Sequence, residues 1–382
     1  MESKPVQPPA GGAGSGGGRS PEPPPFDHAD LEGIGGHIGP DPEDFVVDEV
    51  PLYAASGQGD HWYVRLRKRG ATTLELRDAV AQAAQVAAGD VGYAGMKDKH
   101  AVTTQWLSVP VLRSQPPESW HLAEQFALLE ATRHTNKLRL GHLDSNRFSI
   151  RLVDLAAGAL DKLEPLAERL TSQGITNYFG AQRFGRSQGN LETALSSLRR
   201  GRLGPRAGTR GKFLASVIQS EVFNRFATGR VALGRTRLLV GDVVRFSDGR
   251  ALFTVEDAER EQGRLERGEL RLTGPMVGPK MKSSAGVPLE LERAAIEGIG
   301  LDAQALASLG RWAPGTRRDL LLWPSGLTHE IGSDQSLVLR FSLPAGAYAS
   351  LVISTLTRQD PWLGARPGAA SGEAGEGSEG EA

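Results

Sequence analysis

Between Gly95 and Trp106 the chain reads Gly-Met-Lys-Asp-Lys-His-Ala-Val-Thr-Thr-Gln-Trp, so one carboxylate, Asp98, stands between two ammonium groups, Lys97 and Lys99. Two nearby positive charges favour the ionised carboxylate. Displayed on a short loop, such a group suits a nucleophile or a general base. An apolar, glycine-bearing approach from Val91 and a β-prone run from Val102 to Val109 give strand, tight loop, strand. On charge alone the knot is an ordinary solvated turn. A second stretch, Asn177-Tyr-Phe-Gly-Ala-Gln-Arg-Phe-Gly185, adds an amide, an exposed-or-core aromatic pair and a guanidinium close together in sequence.

Taken together, these two stretches resemble the D family of tRNA pseudouridine synthases. Further similar pieces are Pro42-Glu-Asp-Phe-Val-Val-Asp-Glu49, Arg133-His-Thr-Asn-Lys-Leu-Arg-Leu-Gly141 and Leu343-Pro-Ala-Gly-Ala-Tyr-Ala349, so the resemblance runs from about Gly33 to Leu363. It implies isomerisation of uridine 13 in the D arm of tRNA, with tRNA as partner, no cofactor and no metal. Asp98 matches the family's catalytic aspartate. It would attack the sugar or take the C2′ proton to give a glycal, and the residues leave both routes open. The target base must leave its stack, and an aromatic face is a common way to receive it. Phe179 matches that aromatic, and Asn177, able to donate to and accept from a uracil edge, matches the motif's amide. Phe45 and Tyr348 align with aromatics lining the family's site. Lys97 would support the Asp98 charge or contact phosphate, and Arg183 would serve phosphate or the surrounding shell, with Gln182 beside it. Relatives often carry a basic residue about where Gly39 stands, and His37 is the nearest substitute. Two rival readings use the same residues. One is an inactive RNA-binding or RNA-chaperone protein, against which Asp98, Asn177 and Phe179 argue. The other is a hydrolase pairing Asp98 with Glu49.

Composition sets the outer limits. The chain has 382 residues and no cysteine, which excludes a disulfide framework, a thiolate metal site and a thiol nucleophile. No P-loop, dinucleotide fingerprint or zinc pattern occurs. No apolar run nears the ~20 residues that span a bilayer, and the amino terminus lacks a signal-like region; a cytoplasmic protein without membrane association is expected. The net charge of −1 conceals local patches: residues 183–212 carry eight Lys or Arg against Glu192, and residues 133–151 carry five against Asp144. Such patches matter more to phosphate than the total does. Nothing implies a protein partner, and a monomer is the default.

The elements that must position these residues alternate between β and α periods. Phe45 and Val47 oppose Val46 and Asp48. Trp62, Val64 and Leu66 share a face, with Arg65, Arg67, Lys68 and Arg69 assigned to solvent. Thr72 or Thr73 caps a helix expected to run to about Ala88. In the strand from Asn146 to Val153, Phe148, Ile150 and Leu152 face one way and Arg147, Ser149 and Arg151 the other, an apolar face and a basic one. The fold class is α+β: by resemblance, a pseudouridine-synthase catalytic domain with a mixed, mainly antiparallel sheet flanked by helices, interrupted by an α/β insertion domain. The expected divisions are a disordered Pro/Gly-rich tail at 1–26, the catalytic domain at 27–205 and 317–364, the insertion at 206–316 and an acidic disordered tail at 365–382.

Overall fold

The computed structural model describes residues 24–185, 189–203, 208–249, 251–310 and 312–359. Most of both tails, the Gln182 side chain and parts of the basic connection lie outside the described residues. Residues 24–26, grouped with the tail on composition, pack against the fold: Pro24 is buried and the Arg358 guanidinium lies 5.6 Å over the Phe26 ring.

Strand β1 (Gly35–Ile38) precedes a 3₁₀ turn, Pro42–Asp44, and β2 (Phe45–Pro51) follows directly. Strand β3 (His61–Arg69) leads into helix α1 (Thr73–Ala84). Thr72 caps that helix by accepting from the Glu75 amide, with Glu75 reaching back in return. The helix is shorter than expected because Gln85 turns left-handed (φ 59°) and returns its N–H to the last turn. The short β4 (Gly92–Tyr93), then β5 (Val102–Pro110), bracket the Asp98 loop. Strands β6 (Phe126–His134) and β7 (Leu143–Leu155) complete this part.

Helix α2 (Ala159–Gln173) buries Leu163, Leu166 and Leu170, the stripe its spacing predicts, and stops at Gly174. After β8 (Ile175–Thr176) come α3 (Ala181–Phe184), α4 (Gly189–Arg199) and the long α5 (Gly208–Ala232). Val217, Ile218, Phe223 and Phe226 of α5 are core, as expected. A small sheet follows from β9 (Val243–Phe246), β10 (Leu252–Thr254), β11 (Leu270–Met276) and β12 (Thr316–Asp319), with α6 (Ala258–Glu266), α7 (Gly286–Glu297) and α8 (Ala303–Leu309) between them. Its order is β10-β9-β11-β12. The chain returns through β13 (Leu321–Leu322), β14 (Ser325–Ile331), β15 (Leu337–Pro344) and α9 (Ala349–Thr357).

The large sheet runs β14-β15-β7-β2-β5-β3-β6, with β1 beside β7 and β4 beside β5. β2 and β5 are parallel and the other pairs antiparallel, the mixed α+β architecture expected. Register fixes which side chains share a face. Leu66 lies opposite Gln105, and Glu49 opposite Asn146, which lies opposite Leu343. On this face α1 covers the β3–β5 half with Leu76, Val80 and Ala84. Helices α2 and α9 cover the β7–β15 half with Leu163, Leu166, Val352 and Leu356. Between these two apolar halves runs a polar stripe: Lys68, Thr103, Gln105, Glu49 and Asn146.

Candidate active site

The loop between β4 and β5 lies over the β2 end of that stripe. A Cβ at Gly95 would stand 3.2 Å from Leu143, the register partner of Pro51, whereas Val102 pairs with Val46. The loop therefore crosses β2 from its last residue toward its first. Asp98, at the crown, is exposed.

What holds the loop differs from the sequence expectation. Lys97 turns inward, its Nζ 2.5 Å from Glu49 Oε2, with side chains only 6% and 1% exposed. Glu49 Oε1 accepts from the Trp106 amide at 3.2 Å. Both oxygens of Glu49 are thus engaged, one by Lys97 and one by the Trp106 amide, rather than turned to Asp98. Lys99 sits 3.6 Å from Glu75 on the surface. The ammonium beneath Asp98 belongs instead to Lys68, which is fully buried and donates to the Ala71 carbonyl at 2.5 Å and the Asp98 carbonyl at 2.6 Å. Loss of hydration pulls the Lys68 pKa down to about 8, and Asp98 opposes the shift. The basic run from Arg65 to Arg69 predicts solvent for Lys68, whereas the structure buries it. Period-two alternation puts it on the Trp62-Val64-Leu66 face, and that signal lost to the charge of the run. Thr73 Oγ1 completes the anchoring, accepting from the Lys97 amide at 2.9 Å and donating to Gln105 Oε1 at 3.0 Å. The Arg133–Gly141 segment braces the approach to the loop, with Leu138 N on Ser108 Oγ and Gly141 N on the Ala94 carbonyl, each at 2.8 Å.

A second cluster gathers around Phe179. The ring is 3% exposed and meets Phe223 of α5 edge-on at 5.7 Å and Tyr348 at 6.2 Å. Asn224 brackets its backbone, accepting from Phe179 N at 2.8 Å and donating to Phe179 O at 3.0 Å. The Arg318 guanidinium lies over the Phe179 ring at 4.1 Å, and that of Arg183 at 5.4 Å. Arg318 also donates to Asn177 Oδ1 at 2.5 Å and to the Asn177 and Gly346 carbonyls. Asn177 Nδ2 is given to the Asp319 carbonyl at 3.0 Å. Lost hydration brings Arg318 down to about 10, which leaves it charged at neutral pH. Arg183 donates to Ser216 Oγ at 3.2 Å, while its buried Nε has no partner among the described residues.

Asn177, Phe179, Arg183 and Tyr348 therefore come together. The Phe45 ring is edge-on to Phe148 at 6.1 Å, and its neighbour Val46 pairs with Val102 at the outgoing end of the Asp98 loop. The two clusters converge on the start of β7. The loop reaches it through Gly95 and Leu143; the Phe179 cluster reaches it through Gly346, since Ala345 N bonds to the Asp144 carbonyl and Pro344 pairs with Ser145. Among the described residues buried Asn146 Oδ1 has no partner there, nor do Thr103 Oγ1 and Gln105 Nε2 farther along the stripe. Neither Arg318 nor Asn146 was legible as a site residue; nothing in sequence separates Arg318 from Arg317, which pairs with buried Glu292.

Near Gly39, a Cβ would run into the Asp44 carboxylate, which Arg151 binds at 3.0 Å. His37 instead lies 3.5 Å from Asp154 at the β1–β7 edge. The basic face of β7 is opposite the polar stripe, and Arg151 on it is tied to Asp44 and Asp334.

A mixed, mainly antiparallel sheet flanked by helices is the fold of the pseudouridine synthases. A profile of the tRNA pseudouridine synthase D (TruD) family matches residues 28–202 and 211–356. The chain belongs to that family. It is 40% identical over 346 residues to the tRNA pseudouridine synthase D of Anaeromyxobacter dehalogenans (strain 2CP-C), covering 89% of this chain and 98% of the relative. With that of Thermus thermophilus it shares 35% over 334 residues, 87% and 92% of the two chains. A crystal structure from Methanosarcina mazei, assigned to TruD, superposes with a TM-score of 0.67 at 22% identity, over 87% of this chain and 96% of that one, and is a likeness of fold. Among the described residues no helix is long and apolar enough to cross a membrane, and no group of three or more His, Asp or Glu is arranged to hold a metal.

Proposed function

We propose that this protein converts uridine 13 in the D arm of tRNA to pseudouridine, with Asp98 as the reacting carboxylate. The observation that carries the reading is the convergence on one end of β7 of an exposed carboxylate, fixed through its backbone by Lys68, and a planar aromatic–guanidinium cluster. The reaction is an isomerisation. The C1′–N1 bond breaks with its electron pair passing to uracil, while Asp98 either bonds to C1′ or removes the C2′ proton. After the uracil turns, C5 bonds to C1′, displacing Asp98 from C1′ in the first route and, in the second, as Asp98 returns its proton to C2′; C5 then loses its proton and N1 gains one. No group outside the chain and the RNA enters this balance.

In this reading the Phe179 cluster, with Asn177, Arg183 and Tyr348, receives the displaced base, Phe45 lines the loop side, and Lys97 supports the loop through Glu49. The protein acts as a cytoplasmic monomer with the insertion at 206–316 placed beside the base-receiving cluster, a role favoured by Phe223 of α5 touching Phe179. The test is pseudouridine mapping of tRNA from a host lacking its own enzyme, complemented with wild type or Asp98→Asn. Wild type should restore the modification at position 13 and the variant should not. Full activity in Asp98→Asn would remove Asp98 from the chemistry; modification at another position would remove the D-arm assignment.

A further inference from the structure

Two groups expected to meet the uracil, the Phe179 ring and the Asn177 amide, are both occupied by one side chain. Arg318 stacks at 4.1 Å on Phe179 and donates to Asn177 Oδ1, and with Phe179 only 3% exposed that ring has no open face for a base. The guanidinium is held in plane by the Asn177 and Gly346 carbonyls, so swinging it out would break four hydrogen bonds. Every acceptor it has is neutral, and no carboxylate forms an ion pair with it among the described residues. Its neighbour Asp319 is taken at 2.5 Å by Arg245. Arg318 itself remains partly exposed. The guanidinium also lies 5.5 Å from the Phe223 ring, and Asp319 acts on its charge without pairing to it; a fixed, planar cation held against aromatic rings with no ion-pair partner among the described residues is a platform for something flat that becomes negative.

Resting on the pseudouridine synthase reading above, we infer that Arg318 is the surface on which the displaced uracil lands and the charge that stabilises it as an anion once C1′–N1 has broken. Phe179 then acts from behind, fixing the guanidinium plane, and Asn177 orients it. The electron pair leaving C1′ spreads over N1 and the two uracil carbonyl oxygens, and a preorganised cation beside that charge lowers the barrier without having to reorient. The same charge could serve a phosphate instead. Stacking on an aromatic ring favours the base, and the test separates the two.

Single-turnover rates and Kd are measured for wild type, Arg318→Met and Arg318→Lys on a tRNA transcript, and again on a transcript with 5-fluorouridine at the target. Fluorine makes uracil a better anion, so it needs less help from a cation. Disappearance of the target N-glycoside after nuclease digestion is the readout for both substrates. Arg318→Met should slow the uridine substrate by about 100-fold or more, the scale of losing one preorganised donor. Its Kd should change little, and the loss should shrink on the fluorinated substrate. Arg318→Lys, which keeps the charge without the plane, should fall between. An equal loss on both substrates, or a loss wholly in Kd, overturns the inference. A Kd whose salt dependence weakens by about one counterion with the rate unchanged assigns Arg318 to a phosphate and also overturns it. Should Arg318→Met fail to fold, Arg318→Lys against wild type on the two substrates decides. Wild type inactive on tRNA would overturn the functional reading and this inference with it; active wild type with an unaffected Arg318→Met would overturn only the inference.

Discussion

The Asp98 loop and the Phe179 cluster are built by different means. The loop is fastened from its own half of the sheet by contacts that span 24 to 48 residues: Lys68 to the Asp98 carbonyl, Lys97 N to Thr73 and Lys97 Nζ to Glu49. Its anchors are two lysines, one paired with buried Glu49, and a buried threonine hydroxyl. The Phe179 cluster is assembled from distant chain, with Arg318 reaching Asn177 across 141 positions and Asn224 entering from α5. Its anchors are ring faces, amides and backbone carbonyls. The comparison teaches that the Asp98 loop is positioned by contacts within one segment, whereas the Phe179 cluster depends on α5 and on the return of the chain through β12 being in place. Contacts closing such long loops come with a larger ordering cost and form later.

The sharpest way to break that contrast is at Glu49. Glu49→Ala would leave the Lys97 ammonium buried without its partner, and breaking a pair so enclosed should cost about 3–5 kcal/mol, read as a large fall in Tm. Glu49→Gln with Lys97→Met should recover most of it; an unchanged Tm in Glu49→Ala would mean the loop is not held by charge. Next in size is Lys68→Met. Removing the donor to the Asp98 carbonyl should lower the single-turnover rate by about 10- to 100-fold through misplacement of the loop. Stability should move the opposite way. The folded pKa of Lys68, about 8, lies below its ordinary 10.5. Between those values the unfolded chain binds more protons, so the destabilisation from this buried charge, full at neutral pH, is relieved as pH rises through that window. Activity, which needs the charged donor, should fall on the alkaline side near pH 8 in wild type, and this limb should be absent in Lys68→Met. A variant that is both slower and markedly less stable would make Lys68 a fold residue only.

On the other side, Asn224→Ala removes both bonds that bracket the Phe179 backbone. A loss of about 1–3 kcal/mol in stability is expected from two unsatisfied buried groups, with activity reduced while the Lys68-dependent alkaline limb is kept. Disappearance of that limb would show the two halves to be coupled. The smallest effect is set by the surface pair Arg69–Glu43, whose side chains are 58% and 54% exposed. Arg69→Ala should leave Tm and rate unchanged, since exposed pairs contribute little; a clear loss would extend the electrostatic anchoring to the surface.

Motif and period made much of this legible. The α2 stripe and the α5 core follow from short-range patterns, whereas placing Tyr348 with Asn177, Phe179 and Arg183 rested on the family resemblance. The errors have specific causes. Helix α1 stops at Ala84 because Gln85 adopts a left-handed cap that propensity does not announce. The charge of Lys68 and of its basic neighbours predicts solvent, whereas the pleat assigns it to the buried face. Lys97 and Lys99 look alike beside Asp98, yet one turns to a buried glutamate and the other to a surface one.

By itself the sequence singled out the candidates for the chemistry, because a carboxylate, an aromatic and an amide are fixed by the chain as residue types at set positions in their local turns. Only the tertiary structure decided which cations serve them. Arg318 and Lys68 are chosen by strand register and by which elements fold over the sheet, and a charge's role depends on distance and hydration, neither of which is written in its neighbours along the chain.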